Sequence, residues 1–411
     1  MVLKFLTPAF PLPPTNGFSM RSWALLRCLS AIGHTVDFIG FGEQSQADRF
    51  MPQIRKVCRH IQVVDHPSSS LSSSRDYLRR ATGVFSGLPY AVRRFSSEPM
   101  RAKLREVLGN GKADAVLVDT PYPLVNCPDP QSVPIILYTH NVEHRILQRY
   151  LSVEHNPAKL AYGWLELRKL KRWEMSAFSR ASLVLACSEV DQSALLQLGC
   201  PTRIAVAPNI VDVERYVHSD EYDGATLLYC GGMDWLPNRD AVEFFVFKIM
   251  PRIRKLVAGV KFVVAGREPT RAFREKFSAL EDVHFTGTVS DMREVMARAT
   301  VCVVPLRIGS GTRLKILEAA AMGRPVVSTQ VGAEGLEFIH GSEILLADDP
   351  GSFAEAVALL LGDKSMRQRM GRAARVKVEK SYSFQRLCNS IRHALAAVSN
   401  HDRTSSLVST L

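Results

Sequence analysis

A chain of 411 residues with 46% hydrophobic and 22% charged residues is long for one core and comfortable for two. It has no apolar run of membrane-spanning length, proline breaks its start too early for a secretory leader, and its eight cysteines are scattered without a CxxC spacing, as reduced thiols of a cytoplasmic protein rather than a metal site. The net charge of +12 asks for anionic partners, but no nucleic-acid motif accompanies it and the basic residues are not interleaved with aromatics.

In chain order, residues 3–6 open as a strand, the prolines of 8–14 force a loop, and Asn16-Gly17 turns into a helix over 18–32 that Gly33 stops. A strand at 36–40 completes a βαβ beginning, hence a parallel sheet. Residues 68–74 are a serine-rich, low-complexity stretch. The run 75–105 is basic (Arg79, Arg80, Arg93, Arg94, Arg101, Lys103, Arg105) and reads either as a solvated helical face or as a patch for an acidic headgroup or phosphorylated acceptor. Strands follow at 115–119 and 134–138, and the second runs into Thr139-His140-Asn141-Val142-Glu143. Polar residues at the carboxyl end of a parallel strand are where α/β sheets place chemistry, which makes His140 a candidate. A charged helix spans 164–178, a strand 181–186, and the polar stretch 218–224 marks a domain linker.

A second α/β series starts at 225. Its first strand leads into Gly231-Gly232-Met233, and Pro237 opens a helix running to about 256. Strands at 260–265 and 283–287 follow, with Val289 in the loop after the latter and Ser290 as a helix N-cap. The central feature is residues 299–323: a buried strand, then Arg307-Ile308-Gly309-Ser310-Gly311-Thr312-Arg313, then a helix with Lys315 and Glu318 in its first two turns. Free backbone N–H groups and the positive end of the helix dipole sit at Gly311 to Arg313. Arg313 and Lys315 add cations that oppose that dipole unless an anion binds. The motif is neither a Walker loop nor the dinucleotide fingerprint. Glu318, three residues past Lys315 on one helix face, repels phosphate and suits a diol such as ribose. Cationic loop and diol-binding acid together point to a nucleotide. Two further helices lie at 353–361 and 365–380, a last helix at 384–398, and a frayed tail at 399–411.

From Arg307 through Gly323, with Arg324-Pro325-Val326-Val327-Ser328-Thr329 and Gly332-Ala333-Glu334-Gly335, the chain resembles the donor site of retaining GT-B glycosyltransferases of family 4 (glycosyl transferases group 1). The likeness runs from residue 11 to 383. It implies two Rossmann-like α/β domains facing each other across a cleft: an acceptor domain (1–217), a nucleotide-sugar donor domain (218–383) and a terminal helix (384–398) crossing back. It also implies that Glu318 holds the ribose, that His140 faces the donor sugar, that Gly17 lies near the donor phosphates, that the loop around Val289 receives the base, and that Ser310, Gly311, Thr312, Arg313 and Lys315 hold the rest of the donor. Residues 205–212 resemble the family's segment at the end of the first domain, with Ile210 where glycine is commoner, and the chain departs from the family at two donor contacts as well. Ser310 stands where the first of the paired glutamates is usual. Met233 and Asn238-Arg239 stand where an arginine and a lysine usually hold the diphosphate, with Arg239 as the substitute.

The resemblance implies sugar transfer from a nucleotide diphosphate-sugar to a hydroxyl, with no cofactor and, absent an Asp-x-Asp pair, no metal. The expected acceptor is a sugar or lipid-linked sugar, with an anionic membrane surface as candidate partner. Two alternatives stay open: a GT-B-type nucleotide-sugar epimerase, and a catalytically silent nucleotide-binding scaffold.

Overall fold

The computed structural model describes residues 1–67, 80, 82–109, 111, 113–129, 133–218 and 223–408, with side chains of the last helix described up to residue 396. The serine-rich stretch 68–74 and Arg79 lie outside these residues. The chain divides into two compact units, Met1–Pro208 with Gln385–Leu411, and Asn209–Phe384.

The first unit is built on a seven-stranded sheet in the order β3-β2-β1-β4-β5-β6-β7. Its strands are β1 (Val2–Thr7), β2 (Thr35–Phe41), β3 (His60–Val64), β4 (Ala115–Asp119), β5 (Ile135–Thr139), β6 (Leu183–Ala186) and β7 (Ile204–Val206). Every neighbouring pair is parallel. Strands β1, β4, β5 and β6 are short aliphatic runs buried almost throughout, because helices cover both faces. The order reverses between β1 and β4, so the carboxyl ends of these two strands flank a topological switch point. Helix Gly17–Ala31 starts from a capping box in which Asn16 accepts from the Ser19 N–H and Ser19 caps in return.

The second unit holds a six-stranded parallel sheet, β10-β9-β8-β11-β12-β13, whose switch point lies between β8 and β11. The strands are β8 (Thr226–Cys230), β9 (Lys261–Ala265), β10 (Val283–Gly287), β11 (Val301–Val304), β12 (Val326–Ser328) and β13 (Leu345–Leu346).

Several expectations need correction. The units divide at 208/209 rather than 217/218, because Asn209 bonds to Thr312 and Val211 N–H bonds to Tyr382, both in the second unit. The helix expected over 237–256 is broken into Leu236–Phe244, a π-helical turn Phe245–Ile249 and Met250–Leu256. Pro251, with no N–H and a bulky ring, cannot continue a regular α ladder there. The charged helix begins at Pro157 rather than 164, capped by Asn156. Asp291, not Ser290, is the N-cap of helix Met292–Arg298, its carboxylate accepting from the Arg293 N–H. The final helix extends over Phe384–Val408, well into the expected tail.

Candidate active site

In the second unit, β11 delivers the chain into a loop that turns back at Gly311 (φ +72°) and enters helix Leu314–Ala321. Arg313, the N-cap residue, does not reach outward. Its guanidinium donates to the carbonyls of Ser310 and, at 2.6 Å, Gly311. Glycine at 309 leaves room for it, since a Cβ there would sit 2.1 Å from the Arg313 Nη2 and push the guanidinium aside. The loop is also pinned from the side, where Asn209 Nδ2 donates to the Thr312 hydroxyl. Thr312 and Ser310 are each 1% exposed. The Thr312 hydroxyl is thus engaged in holding the loop, and the Ser310 side chain is enclosed by it.

Lys315 leaves the helix toward the carboxyl end of β8. Its Nζ lies 4.0 Å from the centroid of the Tyr229 ring and 3.2 Å from Asn238 Oδ1. Asn238 Oδ1 also accepts from the Tyr229 hydroxyl at 2.7 Å, while Nδ2 donates to the Gly232 carbonyl at 2.8 Å. Gly231 makes room, because a Cβ there would lie 2.8 Å from Asn238 Nδ2 and 3.0 Å from Lys315 Nζ. Burial pushes the Lys315 ammonium down to about 7, with Cys230 and Glu318 pulling up and Arg313 pushing further down. Lysine 315 is therefore poised to be charged or neutral near neutrality. Asn238 and not Arg239 touches it; Arg239 lies one residue further along the same turn, and the next residue, Asp240, pairs with Arg307 at 2.6 Å.

Glu318 points elsewhere. Its Oε1 accepts from the Tyr216 hydroxyl at 2.7 Å. Burial raises its carboxyl above the ordinary range, opposed by Tyr216, Lys315 and Arg215. The expected Lys315–Glu318 pair on one face does not form; each charged end has its own partner from another segment. Val289 is half-buried in the loop between β10 and the Asp291 cap.

The first unit gathers a second constellation at its switch point. His140 follows β5 and is 3% exposed, and its Nε2 lies 2.7 Å from Oδ1 of Asp119, the wholly buried last residue of β4. The other oxygen, Oδ2, accepts from Ser22 at 2.5 Å and Thr7 at 3.1 Å. With Nε2 turned to the carboxylate, Nδ1 is the ring nitrogen left to act on a ligand. The ring is held between Tyr138 (centroids 4.8 Å) and Phe18 (5.3 Å). Phe18 directly follows Gly17, so the helix that Gly17 opens touches His140 through Phe18 and its partner Asp119 through Ser22. Gly17 itself is exposed. Thr120, just past Asp119, has φ +70°, a strained conformation for a β-branched residue. Beside this pair, Glu143 accepts from Asn141 at 3.2 Å, and burial raises its carboxyl to about 7. Glu174 caps the helix Glu143–Val153 by accepting the N–H groups of Glu143 (2.9 Å) and His144 (3.1 Å).

Part of the basic run is paired locally. Arg101 and Arg105 share Glu98, Lys103 pairs with Glu106, and Arg80 and Arg94 lie beside the Tyr90 ring. Further outward cations sit on helix Pro157–Ser179, where both glutamates are buried. Glu166 is taken by Lys169 and the Tyr90 N–H, and Glu174 by the neighbouring helix. That leaves Trp164, Arg168 and Arg172 exposed at helical spacing.

Asp119, Tyr216, Asn209 and Ser22 were missed by reasoning from sequence. Two of them carried a signal: Asp119 is an acid ending a buried strand at the same sheet edge as His140, and Asn209 lies in the stretch 205–212 that resembles the family's segment at the end of the first domain.

Residues 15–215 match the family model for Glycosyltransferase Family 4, and residues 224–363 match that for Glycosyl transferases group 1. The chain is a family 4 glycosyltransferase. A protein from the cps region of Klebsiella pneumoniae is 21% identical over 394 residues, covering 93% of this chain and 96% of its own length. Among solved structures, the sucrose-phosphate synthase of Thermosynechococcus elongatus superposes with a TM-score of 0.73 at 16% identity, covering 98% of this glycosyltransferase and 100% of the synthase. Anabaena HepE, solved in complex with UDP, gives 0.67 at 16% identity, covering 97% and 100%. These neighbours share the GT-B fold, two Rossmann-like units in one chain. Among its described residues, the glycosyltransferase has no helix long and apolar enough to cross a membrane.

Proposed function

We propose that this glycosyltransferase moves a sugar from a nucleotide diphosphate-sugar to a hydroxyl acceptor, with retention of anomeric configuration, in the assembly of a polysaccharide or glycolipid in the cytoplasm. The observation that carries the donor assignment is the divergence of Lys315 and Glu318 from one short helix. A cation aimed at the β8 end and a carboxylate held one turn away suit a diphosphate and a ribose, respectively. The UDP bound to HepE and the cps-region setting of the Klebsiella relative support the donor and product classes.

In this reading the diphosphate lies against Lys315 and the N–H groups at the start of helix Leu314–Ala321, whose dipole favours the charge that grows on the leaving group. These groups replace a divalent ion. His140, oriented by Asp119, positions the donor sugar. The acceptor hydroxyl attacks the anomeric carbon from the face the nucleotide leaves, and its proton passes to the departing diphosphate oxygen. On the acceptor side, the cationic stripe of helix Pro157–Ser179 and Phe85, which is 94% exposed, suit an anionic membrane surface bearing a lipid-linked sugar.

The test is incubation with a panel of nucleotide diphosphate-sugars, with and without sugar and lipid-linked acceptors, followed by NMR of the product's anomeric centre. Transfer with retention is expected. Inversion refutes the mechanism. A new nucleotide-sugar formed without acceptor identifies an epimerase, and nucleotide binding with neither transfer nor donor hydrolysis identifies a silent scaffold.

A further inference from the structure

We infer that Tyr216 is a positioning residue for the donor ribose: its hydroxyl holds one oxygen of the Glu318 carboxylate and leaves the other aimed at the ribose hydroxyls. The inference rests on the proposed role of Glu318. Tyr216 is 8% exposed and follows the single 3-10 turn Val213–Arg215, so its placement needs fixing from outside. Two arginines supply it. Arg293 Nη1 donates to the Arg215 carbonyl at 2.9 Å. Arg375 Nη1 donates to the Tyr216 carbonyl at 2.8 Å and also to the carbonyl of Ala321, the last residue of the helix that carries Glu318. One guanidinium nitrogen therefore ties the backbone of Tyr216 directly to that helix, and the phenol closes the link at Glu318 with its 2.7 Å bond.

The bond also governs charge. A carboxylate that loses water on burial is stabilised as an anion by donors aimed at it. The groups facing Glu318 are the Tyr216 phenol, Lys315 and Arg215, with the thiols of Cys230 and Cys302 nearby. Burial and the adjacent Glu318 push the Tyr216 phenol far above its ordinary range, so it remains a donor at every working pH. Without that donor, Glu318 would take up its proton at higher pH and lose the charged acceptor that a ribose hydroxyl prefers.

The experiment compares the full-length protein with Tyr216→Phe. Calorimetric titrations use whichever of UDP, GDP or ADP the parent binds most tightly, its 2′-deoxy analogue, and inorganic pyrophosphate, each from pH 5.5 to 8. Tyr216→Phe should bind the ribonucleotide roughly tenfold more weakly, as befits a hydrogen bond to a charged group. It should lose most of the preference for ribose over deoxyribose and leave pyrophosphate unchanged. The acid limb of ribonucleotide affinity, normalised to pyrophosphate, should move to higher pH. A merely structural tyrosine would weaken all three ligands alike without moving that limb. If the parent protein shows no ribose preference, the Glu318 assignment fails. If the parent shows it and Tyr216→Phe keeps it, with the acid limb unmoved, the present inference fails. Should Tyr216→Phe not fold, Arg375→Lys, which gives up the double carbonyl contact, must show the same selective loss.

Discussion

Lys315 offers the most direct test of the donor site, because its ammonium, lowered by burial to about 7, lies within easy experimental reach. A bound diphosphate would restore the charge, so nucleotide binding above pH 7 must take up a proton. The fraction already protonated falls from about a quarter at pH 7.5 to about 1% at pH 9, so affinity for a nucleoside diphosphate should drop about 25-fold across that interval. Titration at pH 8 in buffers of different ionisation enthalpy should register uptake of about 0.9 proton per nucleotide. Lys315→Met keeps the apolar stem over Tyr229 and removes the charge. It should flatten the pH dependence, abolish the uptake and cost about 1.5–3 kcal/mol of binding at pH 7. The ligand-free protein supplies a control of the opposite sense. A lysine whose folded value is depressed penalises folding fully below about 7, and the penalty is relieved as pH rises toward its ordinary 10.5. Lys315→Met should therefore raise the unfolding temperature most at pH 7 and below, and less toward pH 10. A parent protein that takes up no proton, or a variant that keeps the slope, would refute the assignment of the diphosphate to Lys315.

Three further outcomes are expected. Asp119→Asn should lower kcat by about tenfold or more, with nucleoside diphosphate affinity unchanged, because the amide no longer orients His140; steady-state kinetics beside nucleotide titration would show it, and equal losses in both would count against a positioning role. Reversing Arg168 and Arg172 to glutamate should reduce binding to phosphatidylserine vesicles at low salt, at about 1 kcal/mol per cation, while leaving nucleotide binding alone; a parent protein that ignores the vesicles would make this stripe a solvated face. Turnover should persist in EDTA, and loss of activity restored by magnesium or manganese would overturn the division of charge among Lys315 and the helix N-terminus.

The alternation of buried β-branched runs with helices made the central strands of both sheets legible in the sequence, since fully covered parallel strands have few other ways to be written, whereas the edge strands β3, β7 and β13, less buried or only two or three residues long, were not read. The loop at Gly309–Arg313 was equally legible, because the glycines and the following apolar spacing specify a tight strand-to-helix turn. The destinations of its charged side chains were not. Helical spacing put Lys315 and Glu318 on one face, yet Asn238 and Tyr229 draw the lysine away and Tyr216 takes the glutamate. Those partners are separated from the helix by about 75 to 100 residues of sequence (77 for Asn238–Lys315 and 102 for Tyr216–Glu318), and no local pattern announces them. Arg313 failed as an outward cation for a related reason. The carbonyls of the loop it closes lie within reach of its guanidinium, which donates to two of them. The basic run left two readings open because composition counts charges without their partners, and Glu98 and Glu106 sit within helical reach of Arg101, Arg105 and Lys103.

The separation of Lys315 from Glu318 has a chemical consequence of its own. Had the two formed an i, i+3 ion pair, each would have neutralised the other, and an incoming nucleotide would have had to break that pair before using either group. Holding them apart keeps both available, at the cost of placing a cation and an anion in partly desolvated surroundings without a mutual contact. The structure meets that cost with neutral partners: an aromatic face and an amide oxygen for Lys315, a phenol for Glu318. Neutral contacts steady a charge without cancelling it, while Lys315 and Arg215 act on Glu318 only through space, so on the proposed assignment the diphosphate and the ribose would each find a group not locked in an ion pair. A sugar nucleotide presents an anion and a diol a few bonds apart, and on the proposed assignment it would complete both sites in one binding event. A ligand with only one of the two features completes one site and leaves the other unmatched. On the proposed assignment, carrying both contacts on a single two-turn helix would favour a nucleotide over free phosphate or a free sugar.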